Sequence, residues 1–312
     1  MLRFLARRSL FVVVALVAAS FGGFVYAHLA RTGAGNPLFA QSRAADPLLP
    51  AYVRYVQALG AGTLTSDKYG DTFLSVLGQA AWASLILLVA ALLVSIPLGF
   101  VLGLAGVRKE PTGVRGWLLA LTSIGLATPS FFVGSLAVAA MLILVVYGPW
   151  DQILLPVQGF GIDAHLVLPA LVLSVRPTAQ IAQFVATLTV GELTKPYVTA
   201  ARGKGLTWGQ ATRRHALRNV YAPLVQVIAR TLRMIVGELI LVEWLFGWPG
   251  LGMLLAATLI PARVSAYGVE SGFLDPPVVA TIVALLALFF LVMDTVVAAT
   301  LRGLDPRQKH LQ

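Results

Sequence analysis

Long apolar runs, uninterrupted by strand-like alternation, dominate the chain. Six of them cover residues 9–30, 78–104, 117–147, 166–190, 224–246 and 278–301. A helix needs about 20 mostly apolar residues to cross the hydrocarbon core of a bilayer. Only helices and closed barrels satisfy their backbone groups there. The pattern predicts an all-α, polytopic membrane domain over 1–312 with six transmembrane helices. The second and third runs exceed the minimum, so tilt or an interfacial lead-in is expected. Pro97 and Pro129 are candidate kinks. Gly99 and Gly103 have the small-xxx-small spacing that lets two helices approach closely.

Composition points the same way. Of 312 residues, 58% are hydrophobic and only 12% charged, about half the charge of a soluble domain. The absence of cysteine excludes disulfides, thiolate metal sites and Cys nucleophiles. No HExxH zinc motif occurs, and no cofactor is expected. Arg3, Arg7 and Arg8 before an apolar run, with Val25-Tyr26-Ala27 after it, have the outline of a signal peptide. The run is longer than the roughly 7–15 residues of a signal h-region, so it is read as an uncleaved first span.

The net charge of +10 is a topology signal. Of the 23 Lys and Arg residues, 15 fall on one side of the six spans, five on the other, and three inside spans. By the positive-inside rule the basic side is cytoplasmic, and so are both termini. Residues 31–77 then form an external loop and 191–223 a cytoplasmic loop. Nucleic-acid binding is demoted, because the basic residues lie largely beside membrane spans.

The cytoplasmic loop reads GELTKPYVTAARGKGLTWGQATRRHALRNVYAP. Pro196 suits the first turn of a short helix. Ala200 and Ala201 give it a small-residue face, and Gly203 and Gly205 end it. Thr207-x-x-Gln210 has the form of a capping box opening a second, basic helix over 208–219. This is a helix-turn-helix element at the membrane surface. On physical grounds alone it suits anionic lipid headgroups as well as a protein partner.

The loop resembles the signature loop of the inner-membrane permease subunits of binding-protein-dependent ABC importers. There, Ala-Ala followed by Gly marks the helix that fits the ATPase subunit; here those residues are Ala200, Ala201 and Gly205. His215-Ala216-Leu217-Arg218-Asn219 with Pro223 is similar to the dipeptide/oligopeptide branch. Thr199 stands where the family usually has an acidic or polar residue. The likeness runs in order along the chain: Arg7-Arg8, Gly35-Asn36-Pro37, Tyr52-Val53-Arg54-Tyr55, Thr128-Pro129-Ser130-Phe131, Leu155-Pro156-Val157-Gln158-Gly159, the segment from Glu243 through Phe246 and Pro249-Gly250-Leu251-Gly252, and Asp305-Pro306-Arg307. Span four departs from it, carrying Gln183 and Thr187 where basic residues are usual, and the outer loop at about 262–273 is expanded.

The resemblance implies a type I ABC importer permease fold in a bacterial cytoplasmic (inner) membrane. It implies four kinds of partner: a second homologous permease subunit, two ABC ATPase subunits, an external substrate-binding protein and membrane lipid. The ATPase-coupling residues it implies are Thr199, Ala200, Ala201, Gly205, Arg213, Arg214, His215, Arg218 and Asn219. The chain is expected to be a transport subunit and not an enzyme. No GxxxxGK[ST] phosphate loop occurs, so ATP hydrolysis is assigned to a separate subunit. Dipeptides and oligopeptides head the cargo classes, with nickel chelates, glutathione and sugars as others.

Several charges fall within predicted spans. Arg176 lies about ten residues into span four, about 15 Å deep at 1.5 Å per residue. Arg230, Arg233, Glu238 and Glu243 lie in span five and Asp294 in span six. A charge at mid-membrane costs about 2.5–3.5 kcal/mol on insertion scales, so such residues pair or face water. Arg176, Arg233, Glu238 and Glu243 are therefore candidates for the translocation pathway. The structural alternative pairs Arg233 with Glu238. An ion-coupled secondary transporter is the competing function, but the basic loop and the missing inverted repeat disfavour it. An intramembrane enzyme lacks a convergent catalytic set.

Overall fold

The computed structural model describes residues 2–32, 47–66, 68–109, 112–148, 154–259, 264–265, 268–269 and 273–304. Gly35-Asn36-Pro37, Asp305-Pro306-Arg307, Arg43 and Arg263 lie outside the described residues. The chain divides into two compact units. One comprises Met1–Leu85 and Gly247–Val292, the other Ile86–Phe246 and Met293–Gln312.

The first unit contains α1 (Leu2–Thr32), α2 (Leu48–Ala61), the start of α3 (Phe73–Ala105), α10 (Leu251–Leu259) and most of α11 (Pro276–Leu304). Leu10, Phe11, Val13, Val14 and Val17 of α1 are exposed, as lipid-facing side chains are. The segment 31–77, expected to be an external loop, carries α2 in its middle. Tyr52 and Tyr55 of α2 pack on Phe24, with ring centroids 5.4 and 5.5 Å away. Burial raises the Tyr55 phenol above its ordinary range, and its hydroxyl bonds Thr281 Oγ1 at 3.2 Å. Trp248 is fully buried and donates from Nε1 to Ala83 O at 2.9 Å. The N–H of Leu251 donates to Ser84 Oγ at 2.8 Å. The Trp-Pro-Gly-Leu turn is thus fastened to the start of α3 by two buried hydrogen bonds.

The second unit is built on the long helices α6 (Ala164–Leu193) and α9 (Leu217–Phe246). Ile181 and Val185 of α6 meet Leu224 and Val227 of α9, and Thr231 donates to Gln180 Oε1 at 3.2 Å. The continuation of α3 lies against α6 where side chains are smallest. A Cβ on Gly99 would fall 2.8 Å from Ile181 Cβ, and one on Gly103 2.7 Å from Val185 Cβ. The Gly99/Gly103 spacing is therefore a contact surface for α6. A short hairpin, β1 (Val107–Lys109) and β2 (Thr112–Val114), connects α3 to α4 (Gly116–Ala127).

The candidate kink at Pro129 is present. Residues 117–147 divide into α4 and α5 (Ser130–Val146), bent by 95°. Pro129 is the cause: its ring disfavours helical geometry at the preceding residue, and Thr128 is extended with φ −93° and ψ 119°. One expectation needs correction: the predicted helix 208–219 is not a separate element. α8 (Trp208–Ala211), a π-helical turn (Thr212–Ala216) and α9 follow one another without a break, and Pro223 lies inside α9. Packing against α6 offsets the backbone hydrogen bond that Pro223 cannot donate.

Among the described residues, four helices (α1, α3, α6 and α11) are each long and apolar enough to cross a membrane. Counting α4 with α5, and α9 with α10, as broken spans raises the number to six.

Candidate functional site

The end of α6, α7 (Pro196–Gly203), α8 and the π turn form one small folded element. Pro196 stands in the first turn of α7. Gly205, with φ +89°, reverses the chain after it, a conformation that costs an L side chain strain. Thr207 then accepts from the N–H of Gln210 at 3.3 Å while Gln210 Oε1 accepts from the N–H of Thr207 at 2.9 Å. This is the capping box read from the sequence, closed in both directions. The Arg202 guanidinium lies 4.5 Å from the centroid of the Trp208 ring and donates to Leu206 O at 3.3 Å, bracing the turn.

The apolar side of the element is anchored. Val198, Ala211 and Ala216 are buried with Ala182, Ala186 and Leu193 of α6, Leu118 of α4 and Val107 of the hairpin. In an ideal α-helix, positions five apart face different ways. The π turn is wider, so Ala211 and Ala216 both reach this core. Thr199, Ala200, Gly205, Arg213, Arg214, His215, Arg218 and Asn219 are exposed. The alanine pair is split, with Ala200 outward and Ala201 inward at 8% exposure. An open groove of about 590 Å³ is lined by Thr207, Gly209, Gln210, Arg213 and Arg214. The N–H groups of Thr207 and Gln210 are already used in the capping box, and the charge of the groove comes from two guanidinium groups.

Beneath the exposed face, Glu192 gathers three donors. Lys195 Nζ and Tyr197 OH donate to its two carboxylate oxygens, and Asn219 Nδ2 reaches Oε2 at 3.2 Å. Asn219 Nδ2 also lies 3.1 Å from Tyr197 OH. Burial, and then the hydrogen bond to the Glu192 carboxylate, raise the Tyr197 phenol above its ordinary value. Sequence reasoning found Asn219 and missed Glu192 and Tyr197. The Glu192–Lys195 spacing was visible as an i,i+3 pair, but Asn219 is 27 positions away.

The intramembrane charges are paired differently from the structural alternative above. Glu238 of α9 accepts from Arg176 of α6 and from Ser130 at the start of α5. Arg233 donates instead to Asp294 of α11 at 3.2 Å. The reason is helical phase. Residues 233 and 238 are five apart and point to different sides of a 3.6-residue helix. The Arg176–Glu238 pair is mostly covered, with side chains 28% and 15% exposed, while Arg233 and Asp294 are 46% and 52% exposed. Glu243 is fully buried. Gln226, Arg230, Arg233 and Gly237 are exposed along one stripe of α9. At 1.5 Å per residue it runs about 16 Å.

A helical fold with broken spans, a surface helix-turn-helix and polar groups on long apolar helices is that of a multi-pass membrane protein. Residues 95–310 match the model of the binding-protein-dependent transport system inner membrane component family, and the chain belongs to that family. It is a permease subunit of an ABC importer. It is 28% identical over 272 residues to the dipeptide transport system permease protein DppB of Lactococcus lactis subsp. cremoris, covering 84% of this chain and 80% of that one. It is 27% identical over 334 residues to the glutathione transport system permease protein GsiC of Salmonella paratyphi A, covering 99% and 100%. A chain of the MetNI methionine ABC transporter, solved in inward facing conformations, superposes with TM-score 0.52 at 18% identity, over 74% of this chain and 97% of that one. That likeness shows the fold.

Proposed function

We propose that this permease imports small peptides, pairing with a second homologous permease, two ATPase subunits and an external binding protein. It sits in a bacterial cytoplasmic membrane with both termini inside. Residues 191–223 dock the ATPase, presenting Thr199, Ala200 and Gly205 beside the groove of Arg213 and Arg214. His215, Arg218 and Asn219 extend that face, and Ala201 anchors it from beneath. The observation that carries this reading is the construction of the element. Its apolar side is fixed to α4, α6 and the β1–β2 hairpin, and its basic side is left open. A motion of the docked ATPase would then reach the spans directly.

The polar stripe of α9 supports a place for the cargo route. An exposed line of Gln226, Arg230 and Arg233 is too costly to face lipid. It faces water or the second permease, and Arg233 with Asp294 is the charge that anionic cargo groups would meet. Arg176 and Glu238, joined across α6 and α9, border that route and brace it; Glu243 closes its outer end. Relatives named for dipeptide and glutathione transport support a peptide-like cargo.

The test is uptake of a radiolabelled dipeptide by proteoliposomes holding the assembled complex and its binding protein. Uptake that requires ATP and is blocked by vanadate is expected. Uptake driven by an ion gradient without ATP overturns the reading in favour of a secondary transporter.

A further inference from the structure

We infer that Glu192 is the clasp that makes the docking element move as one body with α6 and α9. The inference rests on the docking reading above and adds a positioning role for Glu192 and Tyr197. The geometry is specific. Glu192 lies in the last turn of α6, Tyr197 in α7, and Asn219 in the first turn of α9. A single carboxylate therefore holds the element to both helices that flank it. Lys195, in the turn between α6 and α7, neutralises the carboxylate from the solvent side. The side chain of Glu192 is only 14% exposed, while its partners Lys195, Tyr197 and Asn219 stand at the solvent edge.

The apolar core alone would not fix this geometry. Val198 and Leu193 pack non-directionally, which permits α7 to slide or rock on α6. Hydrogen bonds to a charged acceptor are directional, and losing one at a solvent-exposed site shifts a local equilibrium by up to about fivefold. The bond between Tyr197 and Asn219 closes a triangle with Glu192, so no one of the three can swing without breaking two contacts. A push on α7 is thereby delivered to α6 and α9 together. These two helices carry the Arg176–Glu238 pair.

Spin labels at Lys204, just after α7, and Tyr221, exposed on α9, test the clasp in the reconstituted complex. Pulsed electron resonance is recorded without nucleotide and after trapping with ATP and vanadate. The expected result is a narrow distance distribution that does not change between the two states, and that broadens with Glu192→Ala. Tyr197→Phe, which deletes one hydroxyl and no packing, should broaden it too. Glu192→Gln, which keeps an acceptor oxygen, should restore most of the narrow distribution. If the native distance shifts on trapping, α7 hinges on α9 and the inference is overturned. A distribution left narrow by both Glu192→Ala and Tyr197→Phe also overturns it. A cysteine at Ala200 reads the docking separately. If it fails to crosslink to the ATPase subunit, the docking reading falls while the spin-label result still reports on the clasp.

Discussion

Arg176 on α6 is bonded to Glu238 on α9, and Ser130 at the break between α4 and α5 reaches the same carboxylate. One acidic side chain thus ties together three of the elements that cross the membrane. Arg176→Gln leaves the Glu238 carboxyl largely covered from water without its guanidinium partner. Breaking such a pair costs about 3 kcal/mol. Thermal unfolding in detergent should show a clear loss of stability for Arg176→Gln and a smaller one for Arg176→Gln with Glu238→Gln. Equal losses for the single and double variants would mean that the two residues do not act as a pair.

Arg233 and Asp294 differ in exposure and so in consequence. Exposed ion pairs contribute about 0–1 kcal/mol, so Arg233→Gln should leave unfolding nearly unchanged. Uptake of anionic cargo should fall more than uptake of a neutral analogue. Glu238→Gln should not rescue it, because Glu238 belongs to Arg176. Exchange of the pair, Arg233→Asp with Asp294→Arg, should retain assembly. Equal impairment of anionic and neutral cargo would remove Arg233 from the route.

The proposed docking surface predicts a division between neighbouring alanines. A cysteine at exposed Ala200 should crosslink to the ATPase subunit, and one at buried Ala201 should react poorly. Arg213→Glu with Arg214→Glu should weaken co-purification of the ATPase. Gly205→Asp should impair transport while the protein remains in the membrane, since position 205 requires φ +89°.

Topology can be checked with reporter fusions. Gly113, in the β1–β2 hairpin, and Gln308 should report as cytoplasmic. Gln57, in α2, and Gly268 should report as external. An external signal at Gln308 would mean that the number of spans is odd.

Asp163 caps α6 through the N–H of His165 at 2.9 Å, and this bond, with the His165 ring, holds its carboxyl below the ordinary value of 3.8. A lowered pKa in the folded state means that the charged cap stabilises fully above that ordinary value. Its contribution fades as pH falls through the depressed folded pKa. Asp163→Asn, which keeps the capping oxygen without its charge, should flatten this part of the stability-against-pH curve below about pH 4. An unchanged acid limb would deny Asp163 the role.

The sequence by itself determined what depends on local chemistry. Apolar length marked the membrane helices, because hydrocarbon tolerates little else. Pro196, Gly205 and the Thr207/Gln210 box marked the short folded element between α6 and α9, because each acts on its own turn. Ordered motifs from Arg7-Arg8 to Asp305-Pro306-Arg307 identified the family. Tertiary structure decided which groups meet. Arg233 found Asp294 and not Glu238, because the rotation of α9 points the two residues to different helices. Ala201 turned inward while Ala200 stayed out, because α7 must bury one face on α6. Glu192, Tyr197 and Asn219 came together across 27 positions because α7 folds back between two long helices. Those pairings depend on helix phase and packing over long separations, which no local pattern encodes.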